Sequence, residues 1–260
     1  AVCGIGDAES CGEALAAAER LLRGTRQDAI LNRPASVLRT TRIANAQRLT
    51  QLPGIITART RLFPRQALLR DEAAVALENE GFTFPLLLRS PGHHTGHHFK
   101  FVARPEELWA TAAALPGDHL YAIEYVDVRS GDGMARKFRV MFVDGTLYPL
   151  HLAISPHWKV HYFSADMADN PQHRAEDARF LECMPEVLGP DATRALERVA
   201  QTLDLDYAGV DFALTPAGEI LVFEANATMV VVEPAQEERW EYRRAPVQRV
   251  IAAFRKMLAV

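Results

Sequence analysis

Cysteine is scarce in this chain: three among 260 residues, at positions 3, 11 and 183, with no Cys-x-x-Cys pair. That excludes a disulfide framework and a thiolate zinc site, and it agrees with a reducing, cytoplasmic setting. No apolar run approaches the roughly 20 residues of a membrane span, so no membrane partner is expected. Positive charge is not in excess either. Against 33 Asp and Glu stand 29 Lys and Arg, a formal net charge of −4, which argues against a nucleic-acid partner. The first residues, AVCGIGDAES, lack an initiator Met and a basic leader, and they read as a chain cut within an element, the remainder of a longer protein being an expected partner. No Ser-His-Asp or Cys-His arrangement points to a nucleophilic enzyme. Apolar residues, by contrast, are plentiful at 48%, enough to core one large domain or two small ones.

The most informative stretch is residues 207–228, YAGVDFALTPAGEILVFEANAT. Residues 210–214 and 220–223 read as two strands joined by Thr215-Pro-Ala-Gly218, where Pro presets φ and Gly accepts a positive one. With Leu214 facing Glu219 across a four-residue turn, Asp211 falls opposite Val222 and Glu224 becomes its diagonal neighbour. Asn226 follows on the same face, because strand side chains alternate. Diagonal neighbours stand roughly 7–8 Å apart, close enough for two carboxylates and an amide oxygen to meet on one cation or two. A lone carboxylate in an apolar run such as LVFEANATMVVV is costly to bury or takes up a proton. Two accounts answer that cost. The acids sit at a sheet end facing water or an arginine, or they form a hard-oxygen site for Mg²⁺, which keeps waters and shares its shell with phosphates.

Elsewhere, helical spacing marks residues 12–23, 39–52, 70–79, 106–115, 174–188, 191–203 (with Asp191 as N-cap) and 246–258. Residues 28–31, 55–62, 84–89, 99–102, 119–126, 136–143, 146–155 and 158–164 read as strands or extended pieces. The loop SPGHHTGHH, residues 90–98, has two functional readings. His93/His97 and His94/His98 carry the i,i+4 spacing that binds zinc on a helix. Pro91, Gly92 and Gly96 oppose a helix, and the alternative is a glycine loop whose amides lie over phosphates, with Arg89 as a fixed charge at the strand end. The plain reading is a polar hairpin tip. Two clusters, His151 with Lys159 and His161, and Arg243 with Arg244, suit an anionic acceptor such as a peptide carboxylate, or are ordinary surface charge.

Together these segments resemble the ATP-grasp superfamily, over roughly residue 52 to the C-terminus. They are most like its glutathione-synthetase-like and ribosomal-protein glutamate-ligase-like branch, and like the ATP-grasp domains behind tetratricopeptide regions in bacterial proteins. FPLLLRSPGHHTGHHF is similar to the strand, phosphate loop and strand of the family, with Arg89 where Lys is usual. HLYAIEYVD is similar to its hinge strand, and KFRVMFVDG to the strand whose arginine reaches the phosphates. GVDFALTPAGEILVFEANAT is similar to its metal-binding segment, with acid, acid and amide at 211, 224 and 226.

The resemblance implies an α+β, ATP-grasp fold: two α+β subdomains with the nucleotide held between them, preceded by part of an α/β N-terminal subdomain. Residues 1–69 would be that partial N-terminal region and linker, 70–126 the small lid subdomain and 127–260 the large subdomain with the metal site. It also implies ATP with one or two Mg²⁺ (or Mn²⁺) held by Asp211, Glu224 and Asn226. Arg89 would contact the α/β-phosphates, and Gly92 and Gly96 would let the lid close. Glu124, Tyr125 and Val126 would form the adenine hinge, with Asp127 near the ribose, and Arg139 would face the γ-phosphate or acyl-phosphate. Arginine at 89 keeps the charge but forks it, which alters the phosphate geometry. The implied reaction is ADP-forming ligation of a small-molecule or peptide carboxylate to an amine or thiol through an acyl-phosphate. In it, cations neutralise charge and a lid excludes water. A small-molecule kinase, a nucleotide-binding module without turnover and a zinc protein using the histidine loop are the alternatives.

Overall fold

Period-two alternation along the strands builds two separate sheets. In chain order the elements are α1 (Gly12–Leu21), α2 (Pro34–Leu38), α3 (Arg42–Leu49), β1 (Ile55–Thr57), β2 (Thr60–Pro64), α4 (Arg65–Leu68), α5 (Ala73–Asn79), β3 (Leu86–Arg89), β4 (Phe99–Val102), α6 (Leu108–Ala114), β5 (His119–Glu124), β6 (Ala135–Val143), β7 (Thr146–Ser155), α7 (Pro171–Glu182), α8 (Met184–Leu188), α9 (Pro190–Leu203), β8 (Tyr207–Leu214), β9 (Ile220–Asn226) and α10 (Arg244–Leu258). The computed structural model describes all residues except 27–29, 94–95, 161, 163–164 and 259–260. The chain divides into two units, residues 1–57 with 128–260, and residues 58–127.

The larger unit holds a five-stranded sheet in the order β1-β9-β8-β6-β7, antiparallel except for β1 against β9. Along β6, Phe138, Val140 and Phe142 enter one core with Phe212, Leu196 and Val199, while Met141 and Val143 enter a second core with Val247 and Val250 of α10. The sheet is therefore covered on both faces, and Lys137 and Arg139 lie on the α10 face by the same alternation. α9 buries Ala192, Ala195, Leu196, Val199 and Leu203, the i, i+3, i+4, i+7 stripe of an amphipathic helix. The smaller unit is a four-stranded antiparallel sheet, β2-β5-β3-β4. Its core joins Leu77, Phe82, Leu86, Leu88, Leu108 and Leu120 from sheet and helices.

Several elements differ from the sequence reading. The extended piece 55–62 is two strands serving two sheets: β1 joins the larger and β2 pairs with β5 in the smaller. Residues 1–57 thus belong with the C-terminal half, and 58–69 with the smaller unit. The helix expected over 174–188 breaks at Cys183, because Pro185 has no N–H to continue it. Gly189 is the residue before α9, and Asp191 lies in its first turn, where it pairs with Arg194. Of the piece 158–164, residues 158–160 and 162 form no strand, and the rest lie outside the described residues, as do 28 and 29 of the strand expected at 28–31.

Candidate functional site

A row of four polar side chains crosses the larger sheet, one per strand. His151 on β7 pairs with Arg139 on β6, Arg139 with Asp211 on β8, and Asp211 with Glu224 on β9. Residues directly opposite in antiparallel strands share a face, so all four stand together. The pairing of Asp211 and Glu224 is reached by a route the alternation did not predict. The turn is one residue longer, with Leu214 opposite Ile220 and Gly218 at φ +80° closing the chain back onto Thr215. Phe212 then faces Val222, and the register shifts before Asp211 meets Glu224. Phe223 is the extra residue. It is exposed, and this β-bulge lets Val222 and Ala225 enter the core while Glu224 turns to the opposite face.

Asp211 is 2% exposed. Its carboxylate accepts a fork from Arg139, Nε to Oδ1 at 2.5 Å and the terminal nitrogen to Oδ2 at 2.8 Å, and Lys137 Nζ lies 2.7 Å from Oδ2. Burial alone would raise the Asp211 pKa, but Lys137 and Arg139 outweigh it and hold the carboxyl below the usual range. Burial would likewise lower that of Arg139, and Asp211 more than offsets it. Glu224 Oε1 accepts from Asn226 Nδ2 at 3.0 Å and stands 3.6 Å from an Arg42 guanidinium nitrogen. Asn226 Oδ1 accepts from the backbone N–H and the hydroxyl of Thr228, at 2.9 and 2.7 Å, which fixes the amide orientation. Three cations thus surround two carboxylates.

His151 is buried. Desolvation first, then Arg139, keeps the imidazole neutral, and its Nε2 has no hydrogen-bond partner among the described residues. Its ring lies 4.5 Å from that of Tyr162, over which the Arg243 guanidinium sits at 4.3 Å. Arg243 is itself buried against Asp177 at 3.7 Å, and Arg244 pairs with Glu241. The two clusters proposed from sequence as anion sites therefore meet at Tyr162 through His151 and Arg243. Lys159 is exposed, and His161 lies outside the described residues.

Would the row accept a divalent cation? Asp211 Oδ1 accepts one hydrogen bond, and Glu224 Oε2 accepts none among the described residues. Both are hard oxygens on facing residues, and the donor set fits Mg²⁺ completed by water or phosphate. Asn226 fits only after its oxygen leaves Thr228. Among the described residues no three His, Cys, Asp or Glu side chains form a metal cluster.

The remaining sequence candidates belong to the smaller unit. Arg89 ends β3, 9% exposed, donating to the carbonyl of His93 and lying 5.4 Å from the centre of the Phe99 ring. Gly92 and Gly96 both take positive φ, at 71° and 72°. His93 and His98 rings stand 4.4 Å apart, while His94 lies outside the described residues. Glu124 ends β5 and accepts from the backbone N–H of Arg59 at 3.1 Å. Tyr125 packs edge-on to Phe101, Val126 is half-buried and Asp127 exposed.

Sequence reasoning missed Lys137, though its place two residues before Arg139 on one strand signalled a shared face. It also gave Asn45 no part. A cavity of about 460 Å³ lined by Arg136, Phe138, Glu176 and Leu214 opens on the Phe138 side of the sheet, not on the face of the acid row.

No protein-family model matches the sequence, and no curated protein matches it. Solved structures do. D-alanine-D-alanine ligase from Helicobacter pylori superposes with a TM-score of 0.58 at 13% identity, over 97% of this chain and 70% of that one. The RimK domain protein ATP-grasp from Sphaerobacter thermophilus gives 0.51 at 18% identity, over 93% and 76%. N5-carboxyaminoimidazole synthase from Aspergillus clavatus, solved with ADP and 5-aminoimidazole ribonucleotide, gives 0.52 at 16% identity, over 83% and 51%. The chain has the ATP-grasp fold, and it spans from about half to three quarters of the length of these proteins.

Proposed function

We propose that this chain binds ATP with a divalent cation and activates a carboxylate by phosphorylation, releasing ADP, and then hands the acyl group to an amine or thiol with phosphate as the leaving group. The observation that carries this reading is the Asp211–Glu224 pair, directly opposed across β8 and β9 and flanked by Arg139 and Lys137, in an ATP-grasp fold. Asp211 and Glu224 would hold Mg²⁺ or Mn²⁺, joined by Asn226 once its oxygen leaves Thr228. The cation supplies charge neutralisation to the phosphates. Arg139 and Lys137, strand-borne cations beside that pair, would transfer from Asp211 to phosphate oxygens, because a bound divalent cation relieves the carboxylate of its need for them. In the smaller unit, Arg89 would serve the α/β-phosphates, Gly92 and Gly96 the phosphate loop, Glu124, Tyr125 and Val126 the adenine, and Asp127 the ribose. Ligase neighbours make an amino acid, peptide or other small carboxylate the substrate class favoured here.

Hydroxylamine trapping tests the reading. Incubated with ATP, Mg²⁺, hydroxylamine and pooled amino acids, dicarboxylic acids and short peptides, the protein should release ADP and yield a hydroxamate, and a pool member should be required. A phosphorylated product that hydroxylamine does not intercept would identify a kinase. A second reading, a nucleotide-binding module without turnover, draws on the closed state of Asp211 and Asn226, whose oxygens are already taken by Arg139, Lys137 and Thr228. Nucleotide binding with no ADP release from any pool would favour it.

A further inference from the structure

The outer edge of β9 changes partner at the residue where the site begins. β1 pairs with Ile220, Leu221 and Val222 and stops at Thr57. Beyond it, two side chains of α3 take the next carbonyls of β9 on either side of Glu224. An Arg42 terminal nitrogen donates to the carbonyl of Phe223 at 2.9 Å while the other stands 3.6 Å from the Glu224 carboxylate. Asn45 Nδ2 donates to the carbonyl of Ala225 at 2.5 Å and to that of Thr40 at 3.1 Å, and Asn45 is 6% exposed. The Thr57 hydroxyl donates to the Ala46 carbonyl at 3.0 Å, tying α3 to the end of β1. The helix thus continues the hydrogen bonding of the strand, with side chains in place of backbone.

We propose that Arg42 and Asn45 are positioning residues for the divalent-cation site, fixing the bulge at Phe223 that turns Glu224 onto the face of Asp211. This rests on the Mg²⁺–nucleotide reading above. Without the bulge, alternation would return Glu224 to the face of Val222, which is core, and one residue of slip inverts every side chain that follows. Carbonyls 223 and 225 bracket the residue whose direction matters, and they are the two that α3 grips. A charge argument predicts the opposite sign. Arg42 is a cation beside a cation site, so if charge were all it supplied, removing it would tighten metal binding.

Mn²⁺ binding by the full chain in the presence of the ATP analogue AMP-PNP, followed by electron paramagnetic resonance, separates the two. Arg42→Ala and Asn45→Ala should weaken Mn²⁺ by about 10–100-fold, the range for partners that orient metal ligands. Arg42→Lys should recover part of the loss through one donor to Phe223. Amide exchange should quicken at residues 223–226 and stay unchanged in α9. Should Asn45→Ala not fold, Arg42→Ala, on a partly exposed side chain, carries the test alone. Mn²⁺ bound equally or more tightly by Arg42→Ala overturns the proposal. A wild-type chain that binds no Mn²⁺ with AMP-PNP overturns the functional reading itself, a separate result.

Discussion

Asp211 gathers one guanidinium and one ammonium onto a carboxylate that water scarcely reaches. Removing the acid leaves both cations uncompensated, and breaking a buried ion pair from one side costs about 3–5 kcal/mol. Asp211→Asn should lose stability on that scale in urea unfolding while also losing divalent-cation binding. Asp177 behaves differently. It is wholly buried, accepting from the Leu152 N–H and the Tyr242 hydroxyl, each at 2.7 Å. Burial pushes its pKa up to about 6, and Arg243 offsets this only in part. Between the unfolded value near 4 and the folded value near 6, the folded chain holds more protons than the unfolded one, so stability falls as pH rises through that window. Urea unfolding from pH 4 to 7 should therefore show wild type losing roughly 2–3 kcal/mol relative to Asp177→Asn, with no further divergence above about pH 7.

Among the elements, β9 shows how much of the site was legible. The grouping of Asp211, Glu224 and Asn226 on one face was readable from their spacing, yet the register behind it was off. The turn takes one more residue than Thr215-Pro-Ala-Gly218 suggested, and the Phe223 bulge compensates. Alternation cannot announce a bulge, since it counts residues and a bulge uncouples count from face. A physical signal was present all the same: Val222 and Glu224, two residues apart, would otherwise share a face, an apolar core residue beside a carboxylate. The contribution of α3 was not legible, because a helix 180 residues away in sequence from Glu224 declares no contact through periodicity. Deleting Phe223 should make Val222 and Glu224 adjacent, so that alternation alone keeps Glu224 opposite Asp211 in a regular ladder and Mn²⁺ binding survives the deletion. A nearby element gives an independent check. A Cβ at Gly6 would lie 2.8 Å from the carbonyl oxygen of Ala227, the residue after Asn226. Gly6→Ala should destabilise by about 1–3 kcal/mol, read in thermal unfolding, because the obstacle is backbone.

At the scale of the whole molecule, fold class was more legible than domain limits. Strand and helix signals along β3 to β9 marked the order of the segments, and the family resemblance those segments carry implied the α+β class. The N-terminal 57 residues were set apart in the sequence reading because nothing local ties them to a segment 160 residues on. Their docking runs through side-chain hydrogen bonds such as the Asn32 amide nitrogen to the Tyr207 carbonyl at 2.7 Å, and through β1. No helix among the described residues is long and apolar enough to cross a membrane. The central claim is that the acid row binds a nucleotide-bound divalent cation, and a crystal structure of the chain with Mg²⁺ and AMP-PNP tests it most directly. The account predicts Mg²⁺ bound by Asp211 and Glu224, with Arg139 and Lys137 moved from Asp211 onto phosphate oxygens. A triphosphate seated elsewhere, with Asp211 still closed by both cations, would contradict it.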